Sequence, residues 1–257
     1  NHPNVRAGLS NMSRVHSRQG RFEEALKASK QVVRISRRLE GDESEAVADS
    51  LLEVAAVLRE QGAYDKAMEI YGQILETYRS LFGEDHPSVA MALSDMSGIL
   101  VRQGKGDEAL PIREKALGIL RRTLGPDSQD VAIALQNLAN LYRDRKMFAE
   151  ALAKLEEGLG IVRRVHAGRH SIEGQFLNSI ANVYCDQGKA EEGLAMYKKA
   201  YRIFRKTLGP ESVEASKALC NIAFELGNQG SYDEAFEKYE ESLAITRGAL
   251  GNDHDSV

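Results

Sequence analysis

The sequence predicts an all-α solenoid of six helix pairs, one pair for each repeat of 42 residues. Three observations carry this. Gly20, Gly62, Gly104, Gly188 and Gly230 fall in one register, with Lys146 in the place of the missing glycine. A second series runs Gly41, Gly83, Gly125, Gly209 and Gly251, interrupted by Ala167. Leu9, Leu51, Leu93, Leu135, Leu177 and Leu219 keep the same step without exception, and nothing is inserted or deleted. Internal spacing of this kind marks a repeat architecture, in which each unit needs its neighbours to bury its apolar faces.

Each repeat reads as two helices. In the fourth, Val131, Leu135, Leu138, Ala139 and Tyr142 recur at helical spacing, then Phe148, Ala151, Leu152, Leu155, Leu159 and Val162 do so beyond the turn Arg145-Lys146-Met147. Glycine at the turn suits the left-handed residue that closes a helix. An acidic residue such as Glu23, Asp65, Asp107 or Asp233 then opens the second helix, where the dipole favours it. The second glycine series ends that helix, and Pro126 or Pro210 prevents continuation. Small residues (Ala55, Ala139, Ala181, Ala223) on first helices face Ala25, Ala67, Ala109, Ala151 and Ala235 on second helices, which allows close approach; Gly193 replaces the alanine of the fifth repeat. The units are about 1–42, 43–84, 85–126, 127–168, 169–210 and 211–252, in one repeat domain over 1–257, and residues 253–257 match the start of a seventh. The chain starts and stops inside the pattern, so it is expected to be a piece of a longer array, able to associate with itself through open faces.

Composition narrows the function. Hydrophobic residues make up 42% and charged residues 28% of 257, as in an ordered globular protein. Lys and Arg number 34 against 38 Asp and Glu, a net charge of −4, whereas a phosphate-gripping domain is usually basic, so nucleic acid is not the expected partner. No apolar run is long enough to span a bilayer, and the start lacks the sections of a signal peptide. Two cysteines, Cys185 and Cys220, make neither a disulfide framework nor a zinc cluster, and the expected setting is intracellular, cytoplasmic and reducing. No phosphate loop, His-Glu-x-x-His, Cys-x-x-Cys or nucleophile elbow occurs, so no enzyme activity and no cofactor or metal is expected. His2, His86, His170 and His254 recur with the repeat and are expected to cap or pack the connectors; His166 and His170, four apart, have no evident third ligand. The paired arginines Arg37-Arg38, Arg121-Arg122 and Arg163-Arg164 suit the negative ends of second helices.

The run Gly62-Ala63-Tyr64-Asp65-Lys66-Ala67, with its small residue twelve positions before Ala67, resembles the tetratricopeptide repeat. The longer unit, the connector Leu81-Phe82-Gly83-Glu84-Asp85-His86-Pro87-Ser88-Val89-Ala90 and the run Leu135-Gln136-Asn137-Leu138-Ala139-Asn140-Leu141-Tyr142 are similar to the kinesin light chain type. The resemblance covers the whole chain. It implies a right-handed superhelical solenoid whose first helices line a concave groove, and a scaffold or adaptor that binds a protein or an extended peptide there. Two other roles fit the same resemblance: a structural arm buried in a larger assembly, and a regulatory region of a longer protein. The chain departs from the pattern at Ala167-Gly168-Arg169-His170-Ser171, at Gly174, at Lys146 and at Gly106, which are the expected places of local looseness.

On a wheel of 100° per residue, positions 7, 10, 14, 17 and 18 of each first helix remain outside the apolar arc. Among them Arg59, Arg102, Gln136, Asn140, Arg143, Gln175, Asn178, Asn182 and Asp186 are the candidate peptide-binding residues. Amides offer both donor and acceptor, so they can pair with a peptide backbone without reading its side chains. Asn140 and Asn182 are expected to project side by side into the groove. The arginines would add selection for acidic residues through bidentate pairing. Position 10 never holds a cation, unlike domains of this family that clamp a terminal carboxylate.

Overall fold

The structure, a computed structural model, describes residues 3–166 and 170–250. Among these are twelve helices and no strand: α1 (Pro3–Arg18), α2 (Phe22–Glu40), α3 (Glu45–Glu60), α4 (Tyr64–Phe82), α5 (Pro87–Arg102), α6 (Gly106–Leu124), α7 (Gln129–Asp144), α8 (Phe148–Val165), α9 (Ser171–Asp186), α10 (Ala190–Thr207), α11 (Val213–Asn228) and α12 (Tyr232–Leu250). They form the six expected pairs, and none is long and apolar enough to cross a membrane. The chain divides into two compact units, Asn1–Gly125 and Pro126–Val257, each with three pairs. The sequence gives no sign of this division, because the spacing is 42 on both sides of it. In the first unit α2 packs on α3 and α4 on α5; in the second α8 packs on α9 and α10 on α11. Ala167-Gly168-Arg169, His2, His254, Gly251 and the 253–257 match lie outside the described residues.

Burial follows the columns. Ala25, Ala67, Ala109 and Ala151 are fully buried, as are Ala55, Ala139, Ala181 and Ala223, so the two backbones of a pair meet across small side chains. Leu135 and Leu219 fill the space beside them. First helices are capped from one column. Ser44, Ser128 and Ser212 accept the N–H of Val47, Val131 and Ala215 through Oγ, while His86 and His170 accept that of Ser88 and Ile172 through Nδ1. Both side chains present an acceptor to orphan amides of the first turn. Among the described residues the connector histidines, His86 and His170, are therefore caps. Phe82 stacks on His86 at 4.3 Å, and His166, in the matching place, stacks on His170 at 4.1 Å. The His166–His170 spacing is that of an aromatic stack over a helix cap.

The arginines of the second helices do more than complement the dipole. Arg122 holds Asp85 through Nε at 3.2 Å and NH2 at 2.6 Å, and Arg164 holds Asp127 at the same two distances. Each pair ties the connector that opens a repeat to the last turn of its second helix. The hydrogen bond from Arg122 keeps the Asp85 carboxyl below its usual range.

Of the departures expected to be loose, Lys146 and Gly174 keep regular geometry. Lys146 takes the left-handed conformation, φ 60°, that Gly62 and Gly188 adopt at φ 79° and 76°. The closing bonds survive: Met147 N–H reaches the Tyr142 carbonyl at 2.9 Å. Gly174, where the second to fourth repeats carry alanine, is buried, and a Cβ there would lie 2.7 Å from Phe204 Cε1. Gly158 makes room in the same way for Phe176, whose ring is fully buried. Gly193 gives up its methyl to Cys185, whose Sγ a Cβ would overlap, with the Ala181 carbonyl at 3.2 Å. Gly106 begins α6 in the position that Tyr64 and Phe148 take in α4 and α8.

Lys146→Gly should raise stability by about 0.5–1 kcal/mol, since a non-glycine residue at positive φ costs roughly 1–2 kcal/mol and the freer unfolded chain returns part of it. Gly193→Ala should lower stability by about 1–3 kcal/mol through overpacking. In a Cys185→Ala background the same change should instead stabilise, by up to about 1 kcal/mol of helix propensity. Denaturant unfolding of the four proteins checks the change of sign.

Candidate interaction clefts

The first-helix stripe carries a cleft in each unit. The cleft of the second unit, about 570 Å³, is lined from α7 by Gln136, Asn137 and Asn140, from α9 by Gln175, Asn178 and Ser179, and from α11 by Glu214, Lys217, Cys220 and Asn221. Phe204 forms its floor, and its ring lies over Gly174. The cleft thus depends on the glycine that makes the α9 backbone approachable.

Four predicted residues meet here: Gln136, Asn140, Gln175 and Asn178. Gln136 Nε2 donates to Ser179 Oγ at 2.8 Å, and Asn221 Nδ2 donates to Asn178 Oδ1 at 2.8 Å. These bonds link α7 to α9 and α9 to α11, and set the amides in place. The side chains of Asn140 and Gln175 have no partner among the described residues, so their donors and acceptors face the cleft uncommitted.

Asn182 is placed differently from expectation. It does not line the cleft; its Oδ1 accepts the hydroxyl of Tyr197, a ring that is 6% exposed. The wheel left it on the stripe, but a tyrosine hydroxyl arriving from α10 claims it. Asp186 and Arg143 pair with each other at 3.4 Å, and Arg143 also meets Asp144 at 3.2 Å. In the first unit Arg59 faces Asp95 at 3.8 Å. Burial pushes the Asp95 carboxyl up, against the lowering effect of Arg59. Arg102 is exposed and holds no carboxylate among the described residues. Two of the three predicted arginines are therefore already neutralised.

The cleft of the first unit, about 630 Å³, is lined by Ser10, Arg14, Ser17, Arg18, Leu52, Glu53, Ala56 and Glu60, with Ser13 and Val57. Ser17 donates to Glu60 and Arg14 to Asn11 Oδ1. This cleft carries Arg14, Arg18, Glu53 and Glu60, whereas that of the second unit carries six amides beside Glu214 and Lys217.

Sequence reasoning missed one column. Position 11 reads Asn11, Glu53, Asp95, Asn137, Ser179 and Asn221, polar in every repeat. On the wheel it lies about 20° beyond position 18, so it belongs to the stripe. Glu225 was missed as well. It occupies a place held by Val57, Ile99 and Val183 in other repeats, yet is only 5% exposed and accepts a hydrogen bond from the Cys185 thiol.

The two thiols differ in access. Burial, then the hydrogen bond to Glu225, pushes the Cys185 thiol up to about 12. Cys220 is exposed and lines the cleft. Thiolate is the reactive form, so a maleimide at pH 7.5 should label Cys220 and spare Cys185 in the folded chain; peptide mapping by mass spectrometry checks this, and equal labelling would contradict the packing of Cys185 against Gly193.

A search of curated proteins finds no match. Among solved structures, BtubC (BKLC) from P. vanneervenii is similar, with a TM-score of 0.76 at 19% identity over 91% of this chain and 93% of that one. A Podosopora anserina kinesin light chain protein with nearly identical TPR-like repeats matches with a TM-score of 0.64 at 21% identity, over 80% and 97%. The apo form of RapI matches with a TM-score of 0.65 at 17% identity, over 95% and 98%. At these identities the likeness is one of fold. The tetratricopeptide repeat model matches residues 4–80, 48–105, 88–164 and 174–248. With the helix pairs and the small-residue columns, these matches over most of its length make the chain a member of the tetratricopeptide repeat family.

Proposed function

We propose that this chain is a non-enzymatic scaffold that holds an extended peptide segment of a partner protein in the amide-lined cleft of its second unit. The observation that carries the reading is the pair of uncommitted amides, Asn140 and Gln175, beside Gln136 and Asn178, which are fixed by their own hydrogen bonds. Fixed amides flanking free ones suit a peptide backbone, because each unit of an extended chain offers one N–H and one C=O. Family membership supports a protein partner. Phe204 and Ala218 give the cleft an apolar base. Selection for acidic residues in this cleft rests on Lys217, which shares the lining with Glu214.

The test uses a displayed library of random dodecamer peptides selected on the intact chain. Selected peptides should slow alkylation of Cys220, which lies in the cleft. Asn140→Ala with Gln175→Ala should weaken their binding by about 1–3 kcal/mol. Stability should shift by less than about 0.5 kcal/mol, because neither amide has a partner to lose among the described residues. Binders that leave Cys220 alkylation unchanged and tolerate the double substitution would overturn the reading. Asn182→Ala behaves differently: it strands the Tyr197 hydroxyl and should cost about 1–3 kcal/mol of stability.

A further inference from the structure

Position 11 of the repeat is polar throughout, and in three repeats a neighbouring helix holds it. Asp95 faces Arg59 at 3.8 Å and accepts a hydrogen bond from the Tyr71 hydroxyl. Ser179 accepts Gln136 at 2.8 Å, and Asn221 reaches Asn178 at 2.8 Å. Glu53 differs. It has no hydrogen bond or ion pair among the described residues, and its Oε2 is buried. Two residue changes account for this. Arg59 and Tyr71, which hold Asp95, correspond one repeat earlier to Ser17 and Ser29. Ser17 donates instead to Glu60, and Ser29 to the Leu26 carbonyl at 3.2 Å. Neither a guanidinium nor a phenol therefore reaches Glu53.

The space left by the two serines is open. Glu53 stands between the cleft of about 630 Å³, which it shares with Ser17 and Glu60, and a smaller hollow of about 310 Å³, which it shares with Arg6, Asp49 and Ser50. The charged neighbours are committed elsewhere or stand apart. Arg6 pairs with Glu40 at 2.9 Å, Arg14 donates to Asn11 at 2.6 Å, and Asp49 accepts the Tyr78 hydroxyl at 2.7 Å. Arg18 has no carboxylate partner among the described residues. A half-buried carboxylate without a donor is costly, and a cation in contact with it offsets that cost. The last torsion of a glutamate is soft, so rotation brings Oε2 round to the cleft.

We propose that the cleft of the first unit receives an arginine side chain from an extended segment of a partner protein, with Glu53 as its counter-ion. Arginine is the side chain indicated because its planar fork pairs bidentately with a carboxylate, and because Arg59 meets Asp95 at the corresponding place one repeat later. Arg14 and Arg18, from the α1 wall of the same cleft, add a preference for an acidic residue beside that arginine. The site does not rest on the amide cleft of the second unit.

The test is a displayed library of peptides with a fixed central arginine, selected on the intact chain carrying Asn140→Ala and Gln175→Ala, so that the amide cleft plays no part. Selected peptides are then synthesised and titrated by calorimetry. Glu53→Gln, and replacement of the arginine by its neutral isostere citrulline, should each weaken binding about tenfold or more. Together they should weaken it little further, since both remove the same ion pair. Ser17→Arg, which supplies from within what Arg59 supplies to Asp95, should also weaken binding about tenfold and raise the thermal midpoint. Glu53→Gln should leave that midpoint unchanged or higher, because the carboxylate has no partner to lose; a fall would give Glu53 a structural role and overturn the proposal. A library without binders, binding indifferent to Glu53→Gln or to Ser17→Arg, or effects of Glu53→Gln and citrulline that simply add would each overturn it as well. Agmatine, a free guanidinium, should bind at least about tenfold more weakly than the peptides; equal affinity would assign the cleft to a small cation instead of a protein segment.

Discussion

A helix pair with apolar side chains on both sides cannot bury them by itself. The second helix of one repeat must lie on the first helix of the next, as α2 does on α3 and α10 on α11. Everything else in the chain is arranged around that packing. The fully buried alanine columns bring the two helices of a pair together, and Leu135, Leu155 and Tyr71 are buried with them. The polar stripe of the first helices is what this packing leaves uncovered, and the proposed peptide site lies on it.

Close packing explains why the unusual residues of the fifth repeat come in couples. Interiors have no spare volume, so an added ring must be matched by a lost methyl elsewhere. Phe176 is matched by Gly158, Phe204 by Gly174 and Cys185 by Gly193. The couples concentrate beside the amide cleft. Phe204 supplies its floor, while Cys185 and Tyr197 occupy the space behind Asn182. A repeat that departs from its siblings in sequence thus keeps their backbone and changes the surface it offers.

Electrostatics divides the stripe. In the first unit Arg59 and Asp95 face each other, while Arg102 holds no carboxylate among the described residues. In the second unit Arg143, Asp144 and Asp186 form a closed set, while the amides between α7, α9 and α11 remain uncharged. Amides are cheaper to desolvate than ions, so an amide lining suits the proposed peptide. The net charge of the stripe, read from its residue types, overstates what is left for a ligand because paired charges count in it.

The sequence by itself determined the number and length of the repeats, the pairing of helices, the small-residue seam, the turn glycines and most of the stripe. These follow from local geometry: a period of 3.6 decides which side chains share a face, and positive φ decides where glycine stands. Even the column of Asn137, Ser179 and Asn221 was legible, as an unbroken polar register. What the tertiary structure alone decided is which stripe residues stay free. Asn140 and Asn182 occupy the same repeat position and have the same side chain, yet Asn182 is taken by the Tyr197 hydroxyl and Asn140 faces a cleft. Gly174 reads as a weak point until Phe204 is seen lying over it. The division at Gly125 likewise falls within an unbroken spacing. The cases of Asn182 and Gly174 each depend on a side chain that arrives from another helix, and a periodicity within one helix carries no information about what packs against it.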